Sequence, residues 1–140
     1  MKTMALSIIT PEREILIPDA RSLIFECPDG KRGILPGHTC ALFELSIGVL
    51  YCRRVSGDEL YFALGGGVAE VTPEKVTVLA HSAEEAHEID VARAQEAARR
   101  AESRLRERTA NIDFTRAQAA LLRSLARLRA ATHLPQKPKT

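Results

Sequence analysis

Residues 89–129 constrain this chain more than any other stretch, because they use one helical pattern twice. With 89–106 set beneath 112–129, an offset of 23 residues, the run Ile-Asp-x-x-Arg-Ala-Gln recurs. Arg100, Arg104, Leu105 and Arg106 then fall on Arg123, Arg127, Leu128 and Arg129. At about 3.6 residues per turn, Val91, Ala94, Ala98, Ala101 and Leu105 form one face of the first helix, as Phe114, Ala117, Leu121, Leu125 and Leu128 do in the second. Arg93, Arg100 and Arg104 line another face, repeated by Arg116, Arg123 and Arg127.

Asp90 and Asp113 are placed to cap the two helices, accepting from free backbone N–H groups at the positive end of each dipole. The link at 109–112 is short, so the helices fold back antiparallel on each other. Alanine along the facing seam allows close approach but buries little apolar surface. So lightly packed a hairpin needs another surface to hold its shape, either the rest of this chain or a partner. It reads as a movable element; a fixed helical appendage is the plainer alternative.

Charge divides the chain in the same place. Residues 1–90 carry 8 Lys/Arg against 14 Asp/Glu, whereas 91–129 carry 10 against 4. An acidic body therefore bears a basic arm, which suits an acidic protein surface, a polyphosphate, a nucleic acid or the body itself. Cys27, Cys40 and Cys52 are odd in number, lack metal-ligand spacing and sit in apolar runs, so they read as core residues in a reducing compartment. The start shows no signal peptide, and no apolar run approaches the roughly 18 residues of a membrane span.

Ahead of the arm, short β-branched runs alternate with turn signals. Strands are expected at 4–9, 14–17, 21–27, 32–35, 41–44, 48–55, 59–64, 68–71 and 75–81, divided by Pro18-Asp19, Pro28-Asp29-Gly30, Pro36-Gly37, Ser56-Gly57-Asp58 and similar breaks. They suit a small antiparallel sandwich or flattened barrel. The expected organisation is a β domain over 1–85, a basic helical hairpin over 86–131 and a disordered tail over 132–140.

No catalytic set is evident. Gly65-Gly66-Gly67 lacks the Lys-Ser/Thr that follows a phosphate-cradling loop and reads as a bulge or tight turn. His81, Glu84, Glu85 and His87 match no common metal spacing. His38 follows a Pro-Gly turn, either as a turn residue or as an interface contact. The arginines are the stronger binding candidates, since paired helices bring Arg93 and Arg100 beside Arg123 and Arg127, and guanidinium forks suit phosphate oxygens. Asp90 or Glu84 near the helix ends could accept from a ribose or adenine group. On spacing alone a solvated basic face is the plainer reading.

Taken together and in order, several pieces resemble the ε subunit of bacterial F-type ATP synthases. They are Ile9-Thr10-Pro11-Glu12-Arg13, Gly33-Ile34-Leu35-Pro36-Gly37-His38, Gly48-Val49-Leu50, Gly65-Gly66-Gly67-Val68-Ala69-Glu70-Val71, Lys75-Val76-Thr77-Val78-Leu79-Ala80, and the two Ile-Asp helix starts at Ile89 and Ile112. The resemblance implies an α+β fold, an antiparallel β-sandwich of about ten short strands followed by an antiparallel two-helix hairpin. It implies a non-catalytic central-stalk subunit that couples rotation of the membrane ring to the catalytic head in proton-driven ATP synthesis. The sandwich would contact the γ subunit and c-ring, with Lys31, Arg32 and His38 near those contacts. The hairpin would either fold on the sandwich or extend to the β and α subunits and inhibit ATP hydrolysis.

In some bacterial members the folded hairpin binds ATP as a regulatory ligand, and the matching positions here are Glu84, Ile89, Asp90, Arg93, Ala94, Arg100, Arg123 and Arg127. No cofactor is required, no metal site is implied, and neither nucleic acid nor insertion into the bilayer belongs to the role. The implied location is peripheral, at the cytoplasmic face of the bacterial inner membrane. One departure stands out: where the family has an acidic and then an apolar residue before its Ile-Leu-Pro-Gly-His, this chain has Lys31-Arg32, so its docking charges are rearranged. The alternative functions are a nucleic-acid-binding module, which lacks aromatic partners beyond Phe114, and a small hydrolase centred on His38.

Overall fold

A computed structural model describes residues 2–107 and 113–132. The expected link at 109–112 and the tail from 133 onward lie outside the described residues. The strands are β1 Met4–Ile9, β2 Glu14–Cys27, β3 Gly30–Ile34, β4 Ala41–Arg54, β5 Glu59–Val71, β6 Lys75–Ala80 and β7 Ala83–Glu85. A 3₁₀ turn, Ala86–Glu88, leads to α1, Val91–Glu107, and α2, Phe114–Thr132.

The sheet has seven strands rather than about ten, because three breaks expected to end strands only bend them. Pro18-Asp19 is absorbed as a bulge: Leu6 of β1 faces Ile17, yet Met4 faces Ala20, which leaves β2 one residue in excess. The missing proline N–H is tolerated at such a bulge. Expected runs 41–44 and 48–55 likewise merge into β4, and 59–64 and 68–71 merge into β5 through the three glycines. At those glycines β5 changes partner, pairing β7 at Phe62–Leu64 and β6 at Gly67–Val71. Gly67 has φ +153°, and a Cβ there would run into the Leu79 carbonyl oxygen, so only glycine lets β5 turn from one neighbour to the other.

Sheet order β1-β6-β5-β4-β2-β3, with β1 also paired to β2, closes five strands into a ring. One seam is not antiparallel: β1 runs parallel to β6, which corrects the all-antiparallel sandwich. Leu6, Ile8, Leu23, Phe25, Leu50, Phe62, Val76 and Val78 fill the interior. Cys27 and Cys52 join them, and burial pushes the Cys52 thiol up to about 12. Cys40, expected inside, is exposed, because it sits between the Pro-Gly turn and the start of β4.

Asp90 and Asp113 do cap the helices, each accepting at 3.1 Å from the N–H of the third residue on, Arg93 and Arg116. The helix faces follow expectation in part: in α1 Ala94, Ala98 and Ala101 are buried but Val91 is exposed, and in α2 Ala117 is buried as expected. In α2 the buried residues are Ala117, Ser124, Ala126, Ala130 and Ala131, while Phe114 is 50% and Leu125 39% exposed. A one-faced wheel fails because α2 lies between two surfaces, α1 on one side and strands β4 and β5 on the other. Both contacts are made by small side chains, so the helices sit close but remove little apolar area from water.

Candidate functional site

The seat of α2 on the sheet is an alanine patch with two ionic ties. Ala126 and Ala130 rest on Ala63, bordered by half-buried Ile47, Val49, Tyr61 and Ile89. Arg127 Nε donates to Glu84 at 2.6 Å and Arg129 Nη1 to Glu26 at 3.0 Å. All four ionic side chains remain partly in solvent, so each tie contributes at most about 1 kcal/mol.

Beside this seat, β7, the 3₁₀ turn, α1 and α2 enclose a groove of about 380 Å³. It is lined by Glu84, Glu88, Asp90, Arg93, Ala94, Ala97, Arg100 and Arg127. Six of the eight nucleotide-site residues expected from the sequence therefore meet in one place. Ile89 lies under the groove rather than in it, packed toward Ala126 and Ala130. Arg123 lies one turn before Arg127 in a neighbouring recess formed with Gly65, Ser82 and Glu84.

Charge in the groove is already partly matched. Glu84 is taken by Arg127, and Asp90 spends one oxygen on its helix cap. Arg93 makes no ion pair among the described residues, and Arg100 has only a 3.8 Å contact with Glu96. These two guanidinium groups stand two turns apart on α1, with Ala94 and Ala97 leaving room between the helix and the opposite wall. The arrangement suits an extended polyanion along α1, with Glu84 and Asp90 as acceptors for hydroxyl or amino groups.

Two ion pairs near the hairpin's seat escape sequence reasoning. Glu88 receives a two-pronged bond from Arg13, both contacts at 2.8 Å, and Arg13 also donates to the Ala83 carbonyl at 2.8 Å. Hydrogen bonding from Arg13 holds the Glu88 carboxyl below the usual range and raises Arg13 in turn. Glu88 also accepts from the Glu85 N–H, closing a capping box that fixes the chain between β7 and α1. The Glu85/Glu88 spacing gives a local hint of that box; nothing local could pair Glu88 with a residue 75 positions away. Glu26 and Arg129 were likewise unassigned, their partnership spanning 103 positions.

The expected partner-facing residues lie apart from the groove. Half-buried His38 sits on the loop after β3, its ring edge-on to Phe43 at 6.2 Å, with Nδ1 2.7 Å from the Thr39 carbonyl. Arg32 stacks on the same Phe43 at 5.5 Å and pairs with Asp29 at 2.8 Å. Leu35 and Leu42 are exposed nearby in sequence. Lys31 takes the opposite face of β3, beside Glu26 and Arg129.

Known proteins show the same organisation. Residues 3–86 match the beta-sandwich domain of the ATP synthase delta/epsilon chain, and residues 87–132 match its long alpha-helix domain. The chain is 43% identical over 110 residues to the ATP synthase epsilon chain of Bacillus thuringiensis (strain Al Hakam), covering 79% of this chain and 82% of that one. It is 44% identical over 111 residues to the epsilon chain of Bacillus cytotoxicus, covering 79% and 83%. Among solved structures, a chain of the Euglena gracilis mitochondrial ATP synthase, OSCP/F1/c-ring in rotational state 1, is similar in fold, with a TM-score of 0.77 at 21% identity over 95% of this chain and 83% of that one. A chain of the Tetrahymena thermophila mitochondrial ATP synthase central stalk and c-ring gives 0.55 at 16% identity over 94% and 97%. With both domains of one family matched in order from residue 3 to residue 132, the chain belongs to the delta/epsilon chain family of ATP synthases, among the epsilon chains.

Proposed function

We propose that this chain is a non-catalytic subunit of the central stalk of a bacterial F-type ATP synthase. It couples rotation of the membrane ring to the catalytic head in proton-driven synthesis, and its hairpin inhibits ATP hydrolysis when it leaves the sheet. On this reading the β domain contacts the γ subunit and the c-ring with Arg32 and His38 toward those partners, whereas Lys31, on the other face of β3, turns to the seat of α2 instead. The extended hairpin reaches the β and α subunits, where its basic face meets acidic segments. The subunit stands peripherally at the cytoplasmic face of the inner membrane; no helix among the described residues is long and apolar enough to cross one.

The observation that carries the reading is the thinness of the attachment. Two alanines, edged by half-buried Ile47, Val49, Tyr61 and Ile89, and two partly solvated ion pairs hold α2 to the sheet, a contact that a competing surface can replace. The groove lined by Glu84, Asp90, Arg93, Ala94, Arg100 and Arg127 draws on both helices and the sheet, so it exists only while the hairpin is docked. ATP bound there, with Arg123 close to Arg127 and Ile89 beneath, favours the docked form and opposes inhibition by population shift. No other cofactor is required.

The test is ATP hydrolysis by the reconstituted complex, with the full chain and with a chain lacking residues 89–140. Hydrolysis should be faster with the shortened chain, while assembly with the β domain persists. Equal rates would remove the inhibitory role and leave the coupling role standing.

A further inference from the structure

Lys31 and Arg32 are neighbours in sequence but face opposite sides of β3, as successive strand residues do. Arg32 stacks on Phe43 on the His38 side. Lys31 instead lines a groove of about 470 Å³ with Glu26, Tyr51, Tyr61 and Arg129, where the end of α2 meets the sheet.

Glu26 is the fixed point of that groove. Its carboxylate lies over Gly48, where an added Cβ would come within 2.7 Å of it, so glycine is needed for the carboxylate to sit there. It accepts from the Val49 N–H at 2.8 Å and from Arg129 Nη1 at 3.0 and 3.3 Å. Its side chain is only 20% exposed. Lys31 is directly opposite Glu26 in the β2–β3 register, which places the two Cβ atoms about 5 Å apart. Among the described residues Lys31 makes no ion pair, while Arg129 holds its cross-strand partner Glu26.

We propose that Lys31 is a standby cation for Glu26 that biases the hairpin toward release. Two effects act in the same direction. While α2 is docked, Lys31 and Arg129 crowd one carboxylate, and their mutual repulsion weakens the tie. Once α2 lifts, Arg129 leaves, and Lys31, directly across the strand pair, takes its place on the carboxylate that Val49 N–H holds in position. A neutral residue at 31 reverses both effects and holds the hairpin down. The inference rests on the hairpin being movable, as proposed above.

Amide hydrogen exchange of the full chain under native conditions separates the two claims. Backbone amides of α2 should exchange sooner than those of β5, which establishes separate opening of the hairpin. Lys31→Met should slow α2 exchange about two- to five-fold, the range of a partly exposed ion pair, and leave β5 unchanged. Arg129→Met should speed α2 exchange, and adding Lys31→Met to it should have no further effect, because Lys31 then faces Glu26 in both states. If α2 and β5 of the unmodified chain open together, the movable hairpin falls and this proposal with it. If α2 opens on its own but Lys31→Met leaves it unchanged or faster, or slows it equally without Arg129, the standby role alone is overturned.

Discussion

Arg13 joins the two ends of the β domain, gripping Glu88 with both terminal nitrogens and the Ala83 carbonyl with one of them. Because the bonds from Arg13 lower the Glu88 carboxyl, their contribution to stability is complete above the ordinary carboxylate range and fades as pH falls through the lowered value. Denaturant unfolding followed from neutral pH down through that range should therefore show a loss that Arg13→Met lacks, that variant being already weaker at neutral pH. With Glu88 44% exposed, the difference should stay within about 1 kcal/mol. A steeper acid dependence in Arg13→Met than in the parent would show that Glu88 is not the group responsible.

At the level of elements, α2 sets the behaviour of the hairpin, since it packs on both α1 and strands β4 and β5. Ala126 is 1% exposed against Ala63. Ala126→Leu has no space to fill and should cost docking about 1–3 kcal/mol, leaving the unfolding of the closed sheet nearly unchanged. The check is a pair of probes, one on the sheet and one on α2; loss of both together in one weakened transition would contradict it. The sequence made the caps, the antiparallel helices and most groove residues legible, because Asp90, Asp113, Arg93 and Arg100 act through local spacing. It misled where long-range pairing decides. Pro18 and the three glycines looked like strand ends because a bulge and a change of partner depend on neighbours far along the chain. Leu125 looked buried because a wheel cannot know that a helix will be used on two sides.

For the molecule as a whole, acidic body and basic arm meet where α2 sits on the sheet, with Arg127 on Glu84 and Arg129 on Glu26 as two explicit ties. Calorimetry of the full chain should register ATP binding at up to millimolar concentrations, and Arg123→Ala should weaken it sharply. An unaltered affinity in that variant would exclude the recess beside Arg127 from the site, and no heat at all would exclude a nucleotide sensor. The parallel seam between β1 and β6 carries a separate implication. A cylinder whose first and sixth strands complete the circuit leaves few backbone donors and acceptors open along its rim. Among the described residues the short outer margins of β3, charged by Lys31 and Arg32, and of β7 lie outside that circuit, and short, charged margins of this kind disfavour edge-to-edge stacking of neighbouring copies. A partner of this domain therefore meets protruding side chains and connecting segments more than open strand margins, so it can be held without being drawn into a larger sheet.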